Sequence, residues 1–202
     1  MKKNFFHFNF QPTIKKVRCI ILFGFILLSY TGMGQPILGY DKIAWGATIE
    51  NVRQLYTGIY EIVDTDADIG IRRFVQTNVG GGIESRTFLF FQNRLYAVNV
   101  KHPFTSNLSD AMAVASKLAL IYGGYDDDDE MFDKLDGGIT VETVKTNWRP
   151  ATELTISCFI SVFWRSQESY VGAQASVNYL NPLRRDEVYK KRVNKSAADV
   201  RL

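Results

Sequence analysis

Apolar and polar residues recur along this chain with two periods, one near 3.6 residues and one of 2. Ile49, Val52 and Tyr56 fall at helical spacing behind Thr48, a good N-cap, with Glu50 in the first turn and Gly58 as a stop. A second helix is predicted behind cap candidates in Ser106–Ser109: Leu108, Met112, Ala115, Ala119 and Tyr122 make one stripe, and Gly123-Gly124 ends it. Strand-like runs cover 59–64, 71–77, 86–92 and 94–101; the last two flank Gln92-Asn93-Arg94 as a hairpin. Three more cover 139–148, 152–164 and 170–180. In the middle one Leu154, Ile156, Cys158, Ile160, Val162 and Trp164 point one way, and Glu153, Thr155, Ser157, Phe159, Ser161 and Phe163 the other. Asn181-Pro182 reads as a cap and first residue of a short C-terminal helix.

Runs of strands follow single helices, without βαβ alternation. The expected fold class is therefore α+β: an antiparallel sheet with two main helices packed on one face, in two α-β-β-β halves. Tyr96-Ala-Val-Asn-Val100 and Ala175-Ser-Val-Asn-Tyr179 echo each other, one in each half. The aromatic residues Phe88, Phe90, Trp148 and Trp164 are expected in the core.

One apolar run has neither period. Residues 19–30 are almost wholly apolar, preceded by Lys2, Lys3, Lys15, Lys16 and Arg18 with no acidic residue, and followed by Gly32-Met33-Gly34. This is the pattern of a secretory signal, with cleavage expected between Gly34 and Gln35. A spanning anchor needs about 20 apolar residues, and Thr31, Gly32 and Pro36 interrupt this run sooner. No Cys follows the run to receive a lipid. The expected organisation is a signal peptide over 1–34, one α+β domain over 35–192 and a basic tail over 193–202, in an exported, periplasmic or secreted protein that meets membrane only through an uncleaved signal.

The signal changes the electrostatics. The chain has 24 Lys and Arg against 21 Asp and Glu; without the signal's five bases it has 19 against 21, a net charge of −2. The basic character belongs to the export segment and gives no argument for nucleic acid. Only Cys158 lies beyond the signal, so no intrachain disulfide is expected and packing must supply stability.

Candidate chemistry is sparse, and no catalytic, cofactor-binding or metal-binding residue is assigned. Asp64-Thr-Asp66-Ala-Asp68 opens like a calcium loop, but its sixth and twelfth positions are Ile69 and Val75, where Gly and Glu are required. A solvated turn is expected there. Asp126–Glu130, with Asp133 and Asp136 beyond, reads as a solvated acidic loop that could meet the basic segment Arg184–Lys195. Gly80-Gly81-Gly82 lacks the Lys and Ser/Thr of a phosphate loop and reads as a turn. His102, the one histidine beyond the signal, has no nucleophile motif near it, and no ligand spacing joins it to Cys158 in a zinc site. Glu142 and Glu153 are candidate acid–base carboxylates.

Ile43-x-Trp45-Gly46-x-Thr48-x-x-x-Val52-x-x-x-Tyr56, continued by Gly81-Gly82-Ile83-x-x-Arg86-x-Phe88-x-Phe90 and Asn93-x-Leu95-Tyr96-x-Val98, resembles a pattern in small exported bacterial proteins with a Trp-Gly-x-Ser/Thr start. The helix-then-sheet order also resembles the outer-membrane assembly lipoprotein BamE and β-lactamase-inhibitory-protein domains. That resemblance implies a domain that binds another protein and catalyses nothing; it carries over no functional residue. The expected function is an exported, non-catalytic binding module for an envelope protein or ligand, against an envelope hydrolase using carboxylates or His102. The export reading is checked on protein recovered from the envelope or medium: intact-mass measurement should give an N-terminus at Gln35.

Overall fold

The computed structural model describes residues 39–63, 66–166 and 169–199. The expected cleavage point, Gly34 and Gln35, lies outside the described residues, as does Asp64. A two-stranded ribbon, β1 (Gly39–Tyr40) and β2 (Ile43–Ala44), leads into α1 (Ile49–Leu55). Four strands follow: β3 (Tyr60–Ile62), β4 (Ile71–Gly80), β5 (Ile83–Phe91) and β6 (Arg94–Lys101). Then come α2 (Leu108–Tyr122) and four more strands, β7 (Asp127–Leu135), β8 (Ile139–Ala151), β9 (Leu154–Ser166) and β10 (Ser169–Leu180). The chain closes with α3 (Pro182–Asp199). All eight long-sheet strands pair antiparallel in the order β3-β4-β5-β6-β10-β9-β8-β7. The fold is α+β and dominated by its sheet.

Local chemistry explains each element. Thr48 and Asn51 form a reciprocal capping box at the start of α1. Asn107 accepts from the Ser109 N–H to cap α2, and Gly123, at φ +84°, ends it. The Trp148 indole donates to the Gly123 carbonyl at 3.1 Å, tying that helix end to the sheet. Between β5 and β6, Gln92 and Asn93 both take positive φ, as a two-residue hairpin turn demands.

Two apolar clusters hold the helices. Ile49 and Val52 of α1 pack with Ile43, Phe74, Phe88, Phe90, Leu95 and Val98. The Gly46 and Ala47 segment is stitched to Leu95 by two backbone hydrogen bonds of 2.9 Å, so the Trp-Gly-x-Thr pattern is a packing unit. Ala111, Ala115, Leu118 and Ala119 of α2 pack on Trp148, Ile156, Cys158, Ile160 and Val177. Three alanines on the buried stripe let that helix lie close to the strands. Phe88, Phe90, Trp148 and Trp164 are all buried.

On the other side of the β8–β9 alternation the sheet carries a transverse polar row. Asn99 faces Asn178 and donates to it; Ser157 donates to Asn147, Asn147 to Asp127, and Arg149 to Asp127. Sliding any of these strands by one residue would break the row and turn the core side chains outward.

The acidic and basic segments differ from expectation in two ways. Asp126–Glu130 is not a loop: from Asp127 it forms edge strand β7, with Asp129 opposite Lys145 and Asp127 bonded to Arg149. An edge leaves carboxylates hydrated while the backbone pairs, so a charge run need not be a coil. The ion pairs of 184–195 among the described residues lie elsewhere. α3 extends through the residues expected as tail, and Arg192 and Lys195 meet Asp66 and Asp68 at 2.7 and 2.8 Å. The Asp66–Asp68 turn is thus an ion-paired dock for α3, whose buried Val188 packs with Ile71, Phe91, Tyr96 and Ala97. Each pair has one exposed partner, Arg192 in one and Asp68 in the other, so water screens both and the pairs are modest individually.

Gly172 gives a direct packing test. A Cβ there would stand 2.2 Å from Phe104 Cζ and 2.8 Å from the Thr105 carbonyl oxygen. Gly172→Ala is expected to destabilise the fold by about 1–3 kcal/mol. Adding Phe104→Ala should restore only part of that, because the Thr105 carbonyl stays in place; urea unfolding of the single and double variants checks both statements.

Candidate functional site

A cavity of about 610 Å³ lies between α2 and the β4–β5 hairpin tip, over the strands where the two meanders join. Its floor is Val100 of β6 with Ala175, Val177 and Tyr179 of β10. Val100 stands opposite Val177 in the register, and both are buried. One wall is the flank of α2: Val114, Leu118 and Ile121, with Lys117 at the rim. The facing wall is Tyr40 of β1 and Gly81-Gly82-Ile83. α2 therefore has two apolar faces. Its alanine stripe meets the sheet, and the neighbouring flank is left to line the cavity.

An aromatic and cationic stack fixes the facing wall. The Tyr40 ring lies 4.9 Å from that of Tyr179. Arg86 donates through Nε to the Tyr40 hydroxyl at 3.0 Å, and its guanidinium stands over the Tyr56 ring at 5.3 Å. The Tyr56 hydroxyl donates to Asp41 at 2.9 Å. Burial raises the pKa values of Tyr40 and Tyr179, so both phenols remain neutral.

His102 stands just past β6, its backbone N–H bonded to the Ala175 carbonyl at 2.9 Å. Its ring Nδ1 lies 2.6 Å from the Gly82 carbonyl oxygen. A carbonyl only accepts, so Nδ1 carries the proton and Nε2 keeps a lone pair in the neutral ring. Burial pushes the imidazole pKa down, against the opposing Gly82 bond, and Lys117 adds to the lowering. Asp110, the carboxylate lining this cavity, is held by the Thr105 hydroxyl and the Asn107 amide, each at 3.2 Å.

The remaining candidates do not join this site. Glu142 is buried on β8; burial and then Glu130 raise its pKa, and its Oε2 has no hydrogen-bond partner. Glu153 is exposed in the β8–β9 turn. Nine residues of strand separate Glu142 from Ala151 before that turn, about 30 Å, so the two carboxylates cannot act as a pair. Cys158 is buried among apolar side chains, which push its thiol up to about 12, and it is remote from nucleophilic chemistry. Gly80-Gly81-Gly82 is a hairpin tip at positive φ, and its contribution is the Gly82 carbonyl. Among the described residues no group of three His, Cys, Asp or Glu side chains is placed to hold a metal ion.

Pattern reading missed the cavity itself. Lys117, Val114 and Ile121 sit beside the α2 stripe, not on it, and Tyr40 precedes any periodic element. The one available signal was that α2 has more apolar residues than a single buried face needs. Comparison with known protein families, with curated proteins and with solved structures finds no match to this chain.

In an NMR titration His102 should change charge below its ordinary value of about 6.5, and Lys117→Met should move the midpoint upward. A histidine whose folded-state pKa is depressed adds stability that is fully present above the unfolded value and fades as the pH falls below it. Acid sensitivity in that range should therefore diminish in His102→Gln.

Proposed function

We propose that this protein is an exported, non-catalytic binding module that takes an apolar ligand, or an apolar segment of an envelope partner, into the cavity beside α2. The single observation carrying this reading is the cavity's chemistry: mostly apolar walls of ligand-binding size with a few polar groups at one end. Exposed apolar side chains continue it outward, with Ile121 48% and Leu120 60% accessible.

The finer architecture belongs to the same reading. α1 and α2 lie on one face of the sheet as two helix-plus-meander halves, and the cavity lies over the seam where the halves join, between α2 and the Tyr40 and Gly81–Ile83 wall. What supports this is the opposition of Val100 and Val177, which belong to the α1 and α2 clusters respectively. The two echoing segments, Val98-Asn99-Val100 and Val177-Asn178-Tyr179, run antiparallel with Asn99 facing Asn178, as a local two-fold relation between halves would place them.

A hydrolytic role for His102 has one observation in its favour, the lone pair kept on Nε2 within a cavity. It lacks a nucleophile: the Thr105 hydroxyl is bonded to Asp110, and Cys158 is buried. Turnover of a panel of acyl esters, lost in His102→Gln, would favour it.

The binding reading is tested with the uncharged fluorophore N-phenylnaphthylamine on the exported protein. Saturable one-site binding is expected, weakened about tenfold by Ile121→Glu, which puts a charge on the apolar wall, and blocked by Val114→Trp. Circular dichroism separates a blocked site from a lost fold. Absence of saturable binding to the folded wild type would overturn the assignment.

A further inference from the structure

We propose that the ligand of this cavity is a medium-chain acyl carboxylate, its chain over Val100, Val177 and Leu118 and its anionic head at Lys117 beside His102. The proposal rests on reading the cavity as a ligand site and adds the ligand's chemical class. Three observations carry it.

The first is a cation without an ion-pair partner. Lys117 makes no ion pair among the described residues. Asp110 stands seven residues earlier on the helix, about 10 Å along its axis, and its oxygens accept from Thr105 and Asn107 and make no ion pair with Lys117. That end of the cavity thus holds one charge of each sign, and the two do not pair: the Lys117 ammonium is left without an ion-pair partner. A lysine head at the rim of an apolar wall keeps its hydration while free and gains a partner when a carboxylate arrives.

The second is the shape of the apolar body. From Ala175, level with His102, the floor runs through Val177 to Tyr179, four residues or about 13 Å of strand. Leu118 and Ile121 run beside it on α2, one position and one turn beyond Lys117. An unbranched chain fits a trough with its charge at one end; a compact aromatic ligand would leave the Tyr179 end unfilled.

The third is that the far end offers little to a second charge. Tyr40 and Tyr179 are neutral and stacked on one another, and the Arg86 side chain is engaged with Tyr40 and Gln76. A ligand with one anionic head and an uncharged tail suits this distribution better than a dianion. An ammonium-headed chain would meet Lys117 as a like charge.

The experiment compares decanoate, decanol and decylamine by displacement of N-phenylnaphthylamine from the exported protein. Decanoate is expected to bind about tenfold tighter than decanol, the scale of one charge-assisted hydrogen bond, and decylamine weaker than either. Octanoate should be about tenfold weaker than decanoate, because two methylenes leave the trough. Lys117→Gln, an exposed position where folding is not at stake, should erase the advantage of decanoate while leaving decanol unchanged. Equal binding of decanol and decanoate to the wild type, stronger binding of decylamine, or an advantage of decanoate that survives Lys117→Gln would overturn the head-group assignment. Binding of the fluorophore and decanol with no preference for decanoate would leave the cavity reading standing alone. Failure of the fluorophore to bind would remove both.

Discussion

The architecture turns on the pairing of β6 with β10. Every other contact in the long sheet joins strands that follow one another in the chain, each closed by a local turn. The β6–β10 seam joins residues nearly eighty positions apart, from Ala97 with Leu180 to Lys101 with Ser176. Without it the chain would be two four-stranded meanders, each with an open edge. Closing it costs the loop entropy of the whole second meander, and the return is concentrated at the seam: the Asn99–Asn178 pair on one face and Val100 against Val177 on the other.

The cavity follows from that seam. Each helix is anchored on its own meander, α1 by Phe74, Phe88 and Phe90, α2 by Trp148 and the Ile156–Ile160 stretch. The strands that meet between them lie under the margin of both clusters. Their side chains are short there, with Ala175, Val177 and Val100 in place of the aromatics found farther out. Small residues on the floor and a helix flank with apolar residues to spare leave a trough instead of a filled core. The proposed binding role thus arises where packing is incomplete, while the aromatic stack of Tyr179, Tyr40 and Arg86 keeps the opposite wall in place.

The other face of the sheet is managed differently. Over β4–β6 it is covered by α3, held by Val188 and the ion pairs of Arg192 and Lys195 with Asp66 and Asp68. Over β8–β9 it carries Val141, Phe159 and Phe163 at one end and, at the other, the polar row from Ser157 through Asn147 to Asp127 and Arg149, which satisfies itself. Buried Asn147 would be costly alone; inside the row it specifies strand register. The acidic edge of β7 guards the end of the sheet with charge.

Local order was legible in the residues themselves. Thr48 before Ile49, Asn107 before Leu108 and Asn181 before Pro182 mark helix starts because caps act within a few residues, and the β9 alternation fixes its two faces because side chains alternate along any strand. Those signals imposed the α+β class and the buried state of Phe88, Phe90, Trp148 and Trp164. The acidic run misled because charge reports solvation, and an edge strand is solvated too. What tertiary structure alone decided was the partner of each leftover group: Lys195 with Asp68, His102 with Gly82, Asn99 with Asn178, and Lys117 left facing an apolar trough. Periodicity says which way a side chain points. It carries no information about which distant strand will stand beside it, because that choice is made by the summed packing of whole meanders.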